Sequence, residues 1–482
     1  MKSLFIREQK RYTQRELCEL MKCTAEDVVQ IVCRLKEVGI LKAVRDVHLQ
    51  KDRSSLQDCE MEMVGVAESE DELLYVFVFV GIIVVSGIVL KCYPKYVLKE
   101  KAPKKHIKLV MKVLEKYNSK NQILRMFSGD SDTKKFELLA ILWFLVMDYF
   151  ENGSYMNTTD IIETNGAGEI IWNRTVNDTF TILSHNRPYY TELQTQKRII
   201  NDYDYFKRLH ESVVSMAARE LKEADLLDVF DISEIDISDE KLENFGETEY
   251  ILYRLENELD MQFSTRKQML LRALHAYIAH GGSLTNTDGI SMFGTNSFNL
   301  VWEKICAEIF DNKLEMLLGE IDLPTSLCVG YDPKKRLVDL IEKPFWSVVG
   351  KVAKDTLVPD LISINSSEGN YQFIIFDAKY YVPTLNKGNA PKAQPGIESV
   401  TKQYLYQLAY QQFAMEHNFQ TMKNCFLLPT EEREVINKGY VSMDMLGALG
   451  LEKICVRLIP VHKAYYCYLT DEKMDIDDLK LR

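Results

Sequence analysis

Val358-Pro359-Asp360-Leu361-Ile362-Ser363-Ile364-Asn365, then Ser366-Ser367-Glu368-Gly369-Asn370, then Tyr371-Gln372-Phe373-Ile374-Ile375-Phe376-Asp377-Ala378-Lys379, is the stretch whose reading decides the fold. Leu361 to Asn365 and Tyr371 to Phe376 are rich in β-branched and aromatic residues and predict two strands. The residues between them have turn chemistry, so the pair predicts a β-hairpin. Pairing Asn365 with Tyr371 sets Asp360 opposite Phe376, beside Asp377. Side chains alternate faces along a strand, so Asp377 and Lys379 point the same way. Two carboxylates and one ammonium then converge on a spot about the size of a hydrated divalent ion. Oxygen ligands that leave waters in place suit Mg²⁺. Such a metal polarises a phosphodiester and activates a water. A D-x-K tripeptide alone is common and ordinarily marks a solvated strand end. The preceding Pro-Asp and the hairpin register give this one its weight.

Pro359-Asp360 with Asp377-Ala378-Lys379 resembles the motif of the PD-(D/E)XK nucleases. The resemblance implies Asp360 and Asp377 as metal ligands, the Ala378 carbonyl as a further ligand, and Lys379 as the group that orients or activates the attacking water. Two flanking segments bear on it. Phe298, Val301, Trp302, Ile305 and Ile309 are spaced as one face of a helix, and Glu303 follows Trp302 directly. Nucleases of this type commonly carry an acid on the helix before the hairpin, and Glu303 is the matching position; its other reading is a surface acid at the edge of the stripe. Downstream, Gln403, Gln407 and Gln411 fall on one helix face. Related nucleases often place a Gln there, reaching the metal site or a phosphate. Tyr406 follows Gln403 by three residues rather than the usual four, and a plain polar helix face competes with a catalytic role for Gln403.

A chain of 482 residues exceeds one core, so two or three domains are expected. The ten cysteines form no C-x-x-C and no zinc spacing, which reads as reduced thiols in a cytoplasmic protein. Met1-Lys2-Ser3-Leu4-Phe5-Ile6-Arg7 lacks the long apolar core of a signal peptide. A net charge of −12 argues against coating DNA by charge alone. The charge is uneven: Lys91–Lys120 holds ten Lys and two acids, whereas Glu223–Glu249 holds eleven acids and one Lys. The first could meet phosphates or be an exposed helix face. The second, with Val229, Ile232, Ile235 and Ile237 inside it, reads as a linker or a partner-facing segment. Leu73–Leu90 has no charge and the length of a membrane span. Its Val, Ile, Phe and Tyr content and the Ser86-Gly87 turn favour two buried strands, with Leu90–Lys95 continuing as an edge strand that ends at Pro94. A membrane-anchored sensor is the rival that this disfavours.

Thr13-Gln14-Arg15-Glu16 is a capping box opening a short helix, and Thr24-Ala25-Glu26-Asp27 starts a second that stops near Gly39. With Ile40-Leu41-Lys42 after them, residues 1–60 resemble a winged helix-turn-helix, which contacts either DNA or protein. Residues 61–285 form a central region with a Lys-rich helix near Ile107–Tyr117 and an apolar core helix over Phe136–Phe150. Residues 286–482 carry the nuclease motif. No GK[ST] phosphate-binding loop is present, so the chain is not expected to hydrolyse nucleotides itself.

Asn165-Gly166-Ala167-Gly168-Glu169-Ile170-Ile171-Trp172, taken with Tyr75–Gly81, Leu90–Tyr96 and the nuclease motif, looks like the LlaJI family of restriction endonucleases. That family is similar in part to McrC, the nuclease subunit of McrBC systems. The likeness covers most of residues 70–470. It implies a multidomain α/β protein with a C-terminal PD-(D/E)XK restriction-endonuclease-like domain, a mixed α+β central domain that binds the partner, and an N-terminal winged-helix-like module. The implied function is Mg²⁺-dependent cleavage of double-stranded DNA in a restriction system, beside a separate McrB-like AAA+ GTPase. The complex would also account for any homo-oligomer. A non-catalytic subunit that stimulates an AAA+ NTPase is the alternative.

Overall fold

The computed structural model describes residues 1–45, 73–100, 102–117, 138–200, 203–279, 281, 284, 290–367, 369–385, 388 and 390–481. The segment boundaries expected at 60/61 and 285/286, and Phe136 at the start of the apolar helix, lie outside them. The chain folds as a mixed α/β protein with several sheets. It divides into two compact units, one of residues 2–119 with 288–482 and one of residues 120–287.

The first unit opens with β1 (Lys2–Arg7), β2 (Arg11–Thr13), α1 (Gln14–Met21), α2 (Ala25–Glu37) and β3 (Leu41–Arg45). Thr13 and Glu16 form the expected capping box, and Thr24 and Asp27 form a second. The apolar run from Leu73 makes three strands rather than two: β4 (Leu73–Phe77), β5 (Val80–Val85) and β6 (Ile88–Tyr93). Strand β4 joins β2 and β3 in a small antiparallel sheet. Strands β5 and β6 form a hairpin whose turn residues, Ser86 and Gly87, both have positive φ, the conformation a two-residue connection requires. Strand β6 is not an edge: β1 pairs with it in parallel on its other side. The N-terminal strand thus covers the edge that Pro94 had suggested was free. Among the described residues no helix is long and apolar enough to cross a membrane.

After β6 comes the lysine-rich α3 (Lys104–Tyr117), which buries Ile107, Val110, Met111, Val113 and Leu114. The chain returns to this unit with β12 (Ile290–Thr295), antiparallel to β5, and α9 (Phe298–Ile309). A short ribbon follows, β13 (Phe345–Trp346) and β14 (Lys351–Val352). The last sheet has the order β15 (Leu361–Ser367), β16 (Asn370–Ala378), β17 (Thr421–Thr430), β19 (Ile454–Pro460), β18 (Ile436–Val441). Strand β16 is antiparallel to β15 and parallel to β17, so α10 (Ile397–Glu416) makes the crossover between β16 and β17. Tyr406, Tyr410 and Phe413 of α10 pack on Ile362, Phe373 and Ile375. Helix α11 (Val461–Thr470) closes the unit.

The second unit holds α4 (Leu138–Asn152), buried almost all round, then β7 (Thr158–Thr164), β8 (Glu169–Ile170), α5 (Trp172–Asp178), β9 (Thr181–Ser184), β10 (Arg187–Tyr190) and β11 (Gln194–Ile200). Helices α6 (Tyr205–Glu223), α7 (Thr248–Met261) and α8 (Thr265–Ala279) complete it. The glycine-rich motif packs against β11. The Asn165 side chain accepts from the Leu193 amide at 2.8 Å, and a Cβ on Gly168 would sit 2.1 Å from the Gln196 carbonyl. Gly168 is therefore a place of close backbone approach.

Candidate active site

The hairpin register differs by one residue from the expected one: Leu361, not Asp360, lies opposite Phe376, and Ser366 pairs with Tyr371. The strands extend further into the polar turn than expected and connect through Gly369, whose φ is +81°. Continued by one step, the register sets Asp360 level with Asp377. Directly opposed residues of an antiparallel pair share a face. In the expected register they would not have done so. The slip is thus what brings the two carboxylates together.

Asp360 Oδ2 accepts from the Ala378 amide at 2.8 Å. Asp377 is 5% exposed, and the Lys379 ammonium lies 2.9 Å from its Oδ1. Burial first, then the neighbouring Asp360 charge and a hydrogen bond shared with it, push the Asp377 carboxyl upward; Lys379 opposes them. For Lys379, burial disfavours the charge, but Asp377, Asp360 and Glu303 outweigh it and hold the ammonium above the usual lysine range. Glu303 is pushed up to about 7, by burial and then by Asp360, with Lys379 and a hydrogen bond to Asn299 acting against them. Glu303, Asp360, Asp377 and Lys379 are therefore gathered in one electrostatic neighbourhood.

Three further residues build the place. Trp302, fully buried on α9, donates its indole N–H to the Leu427 carbonyl at 3.1 Å. The Lys379 amide donates to the same carbonyl at 2.9 Å. Trp302 thus pins α9 to the ends of β16 and β17 and sets its neighbour Glu303 at the site. Sequence reasoning had Trp302 only as a member of an apolar stripe; the available signal was that a buried indole needs an acceptor. Tyr406 Oη donates to the Val358 carbonyl at 2.9 Å, fixing the backbone just before Pro359-Asp360.

Gln403 sits apart from the carboxylates. Its Nε2 donates to the Ile375 carbonyl at 2.8 Å, and Gln407 Oε1 accepts from Asn424 Nδ2 at 2.6 Å. Both glutamines are buried, which corrects the polar-face reading. They carry α10 onto the sheet through internal hydrogen bonds, and burial is affordable only because the amides find partners there.

Among the described residues no three His, Cys, Asp or Glu side chains stand close enough to hold a metal. The donor set is nonetheless of the right kind for a hard cation. It is all oxygen, and its buried carboxylate is crowded by a second that only Lys379 partly compensates. Two carboxylates and a backbone carbonyl leave the remaining positions to water, which Mg²⁺ favours.

A model of the LlaJI restriction endonuclease family matches residues 79–461. The chain is 24% identical over 414 residues to a Bacillus subtilis (strain 168) protein described as type II restriction enzyme BsuMI component YdjA, a match covering 84% of this chain and 83% of that one. Among solved structures it is similar to a chain of the half-complex from the tetradecameric assembly of Thermococcus gammatolerans McrB AAA+ hexamers with bound McrC. That match has 12% identity, covers 98% and 99% of the two chains, and has a TM-score of 0.40. A second, with a chain of the Thermococcus gammatolerans McrBC complex, has 14% identity, 63% and 86% coverage, and a TM-score of 0.27.

Proposed function

This chain belongs to the LlaJI restriction endonuclease family, and we propose that it is the Mg²⁺-dependent endonuclease subunit of a restriction system, cleaving double-stranded DNA in the cytoplasm beside a separate McrB-like AAA+ GTPase. The observation that carries the reading is the convergence of Asp360, Asp377, Lys379 and Glu303 at the end of one hairpin. Asp360, Asp377 and the Ala378 carbonyl would hold the metal, which when bound supplies charge stabilisation to the phosphodiester. Lys379 orients or activates the attacking water. Glu303 receives or relays a proton at the edge of the site. Gln403 acts at one remove, holding the strand that carries Asp377. Catalysis of this kind rests on positioning and charge stabilisation.

The partner is argued from the resemblance to McrC and from the lack of a phosphate-binding loop in the sequence. The winged-helix-like residues 1–60 and the nuclease residues 286–482 flank the segment 61–285 assigned to the partner contact. The test is Asp377→Ala in the full chain with its partner. Cleavage of duplex DNA should be lost while the circular dichroism melt is kept. Cleavage near the wild-type rate would show that Asp377 is not a ligand and would favour the non-catalytic subunit.

A further inference from the structure

Fourteen residues before the Asp360 carboxylate, as counted from Trp346, the chain makes a ribbon that packs on nothing comparable to a core. Strands β13 and β14 pair only with each other, Phe345 with Val352 and Trp346 with Lys351. The tip is closed by the Gly350 amide donating to the Trp346 carbonyl at 2.9 Å, with Gly350 at φ +63°. Phe345, Trp346, Val348, Val349 and Val352 are all exposed, Trp346 at 65% and Val348 at 99%. A lone two-stranded ribbon is marginal in water. Large apolar side chains concentrated on one mark a contact surface.

The charge of the ribbon says what it contacts. From Lys343 to Lys354 there are three lysines and no acid, in a chain whose net charge is −12. All three lysines are exposed. Its base is tied to the site. The Ala353 amide donates to the Pro344 carbonyl at 2.8 Å, Thr356 Oγ1 donates to the Glu342 carbonyl at 2.7 Å, and Val358 is held by Tyr406 as described. The ribbon therefore stands at a fixed place relative to Asp360. An ordinary protein-docking surface would not need an acid-free basic flank.

We infer that this ribbon is a duplex-DNA contact element of the nuclease site. Lys343, Lys351 and Lys354 neutralise backbone phosphates beside the scissile one, and the Trp346–Val349 tip lies against sugar and base edges in a groove. A two-stranded β-ribbon fits the major groove, and apolar side chains serve as wedges at base steps. The inference rests on the nuclease reading above and adds the element that seats its substrate.

The test measures equilibrium binding of the full-length protein to a fluorescent duplex across a salt series, with EDTA present so that no cutting occurs. Each lysine–phosphate contact contributes about 0.9 to the slope of log affinity against log salt. Lys343→Gln/Lys351→Gln/Lys354→Gln should flatten the slope by about 2.7 and weaken binding about tenfold or more at moderate salt. Trp346→Ser/Val348→Ser should leave the slope unchanged and weaken binding at every salt concentration. All five side chains are exposed, and a thermal melt matching wild type confirms that the fold is kept. Wild-type slope and affinity in both variants overturn the inference. So does intact DNA binding combined with an altered sedimentation mass in the apolar variant, which would make the tip a self-association surface. A chain that binds duplex through the ribbon but never cuts it, with or without the partner, sinks the nuclease reading and leaves the ribbon assignment standing. A chain that cuts while both variants bind normally does the reverse.

Discussion

Lys379 is surrounded by carboxylates: Asp377 at 2.9 Å, with Asp360 and Glu303 further raising its proton affinity. Charge alone would be kept by arginine, but a guanidinium is planar, larger and never gives up its proton. If Lys379 acts on the water through a compact ammonium, Lys379→Arg and Lys379→Ala should both lose cleavage, by about 10²–10³-fold in single turnover as for other removed stabilising donors. DNA binding should be kept in both. An active Arg variant would reduce Lys379 to a neutraliser of phosphate charge. Asp360, Asp377 and Lys379 were legible because the motif is local: a few residues and an alternation of faces place them. Gln403 was not. Its burial and its bond to the Ile375 carbonyl depend on how α10 lies on the sheet, which helical spacing does not report. The raised proton affinity of Glu303 was out of reach for the same reason, since it follows from Asp360 lying beside it in space.

At the scale of elements, local signals were right about type and wrong about length and neighbours. The run from Leu73 was read as strands on its composition, correctly, but its division into three depends on which sheet each piece joins. The acidic stretch was read as a linker or a partner-facing segment, and in the structure it lies back along α6. Arg208 meets Glu240, Arg219 meets Asp236 at 2.6 Å, and the Ser215 hydroxyl accepts from the Ile237 and Ser238 amides. Ile232 and Ile235 are buried beneath it. The basic partners of those acids were in the sequence, one helix earlier, but nothing local joins them. Helix α6 has a second anchor in His210, fully buried, whose Nδ1 accepts from the Tyr155 amide at 2.9 Å. Burial pushes its imidazole down to about 4 from an ordinary value near 6.5. The folded state thus resists a proton that the unfolded chain accepts. Stability is unaffected above about pH 6.5 and falls as the pH drops from there towards 4, by about 3 kcal/mol from this group. His210→Asn offers Oδ1 near the same amide without a titrating ring. Urea unfolding of wild type and variant between pH 7 and 4 should show the smaller pH dependence in the variant. Equal pH dependence would remove His210 as a source of acid sensitivity.

For the whole molecule, the decisive fact is that one compact unit is built from two distant chain segments, 2–119 and 288–482. Consecutive domains were expected because composition shifts along a chain mark linkers, not returns, and pairing across such a separation leaves no local trace. Two joints hold the segments. In one, buried Glu8 accepts from the Tyr380 hydroxyl at 2.5 Å and from the Lys95 amide at 3.1 Å, so the turn after β1 grips the residue that follows Lys379. In the other, β12 pairs with β5 and sets Gly81 opposite Gly294. The backbones are so close there that a Cβ on Gly294 would lie 2.2 Å from the Val80 carbonyl, and one on Gly81 would lie 2.2 Å from the Phe293 carbonyl. Neither obstacle is a flexible side-chain end, so relief requires the strands to part. Gly294→Ala should therefore cost about 3 kcal/mol, at the upper end of overpacking penalties. The loss should be regional. Hydrogen exchange should quicken in β5, β12 and the strands beside them, while α4 and α6 keep their protection because they belong to the other unit. Uniform loss across both units would mean that they unfold as one. Unchanged exchange in β5 would mean that the glycine pair is not what joins the two segments.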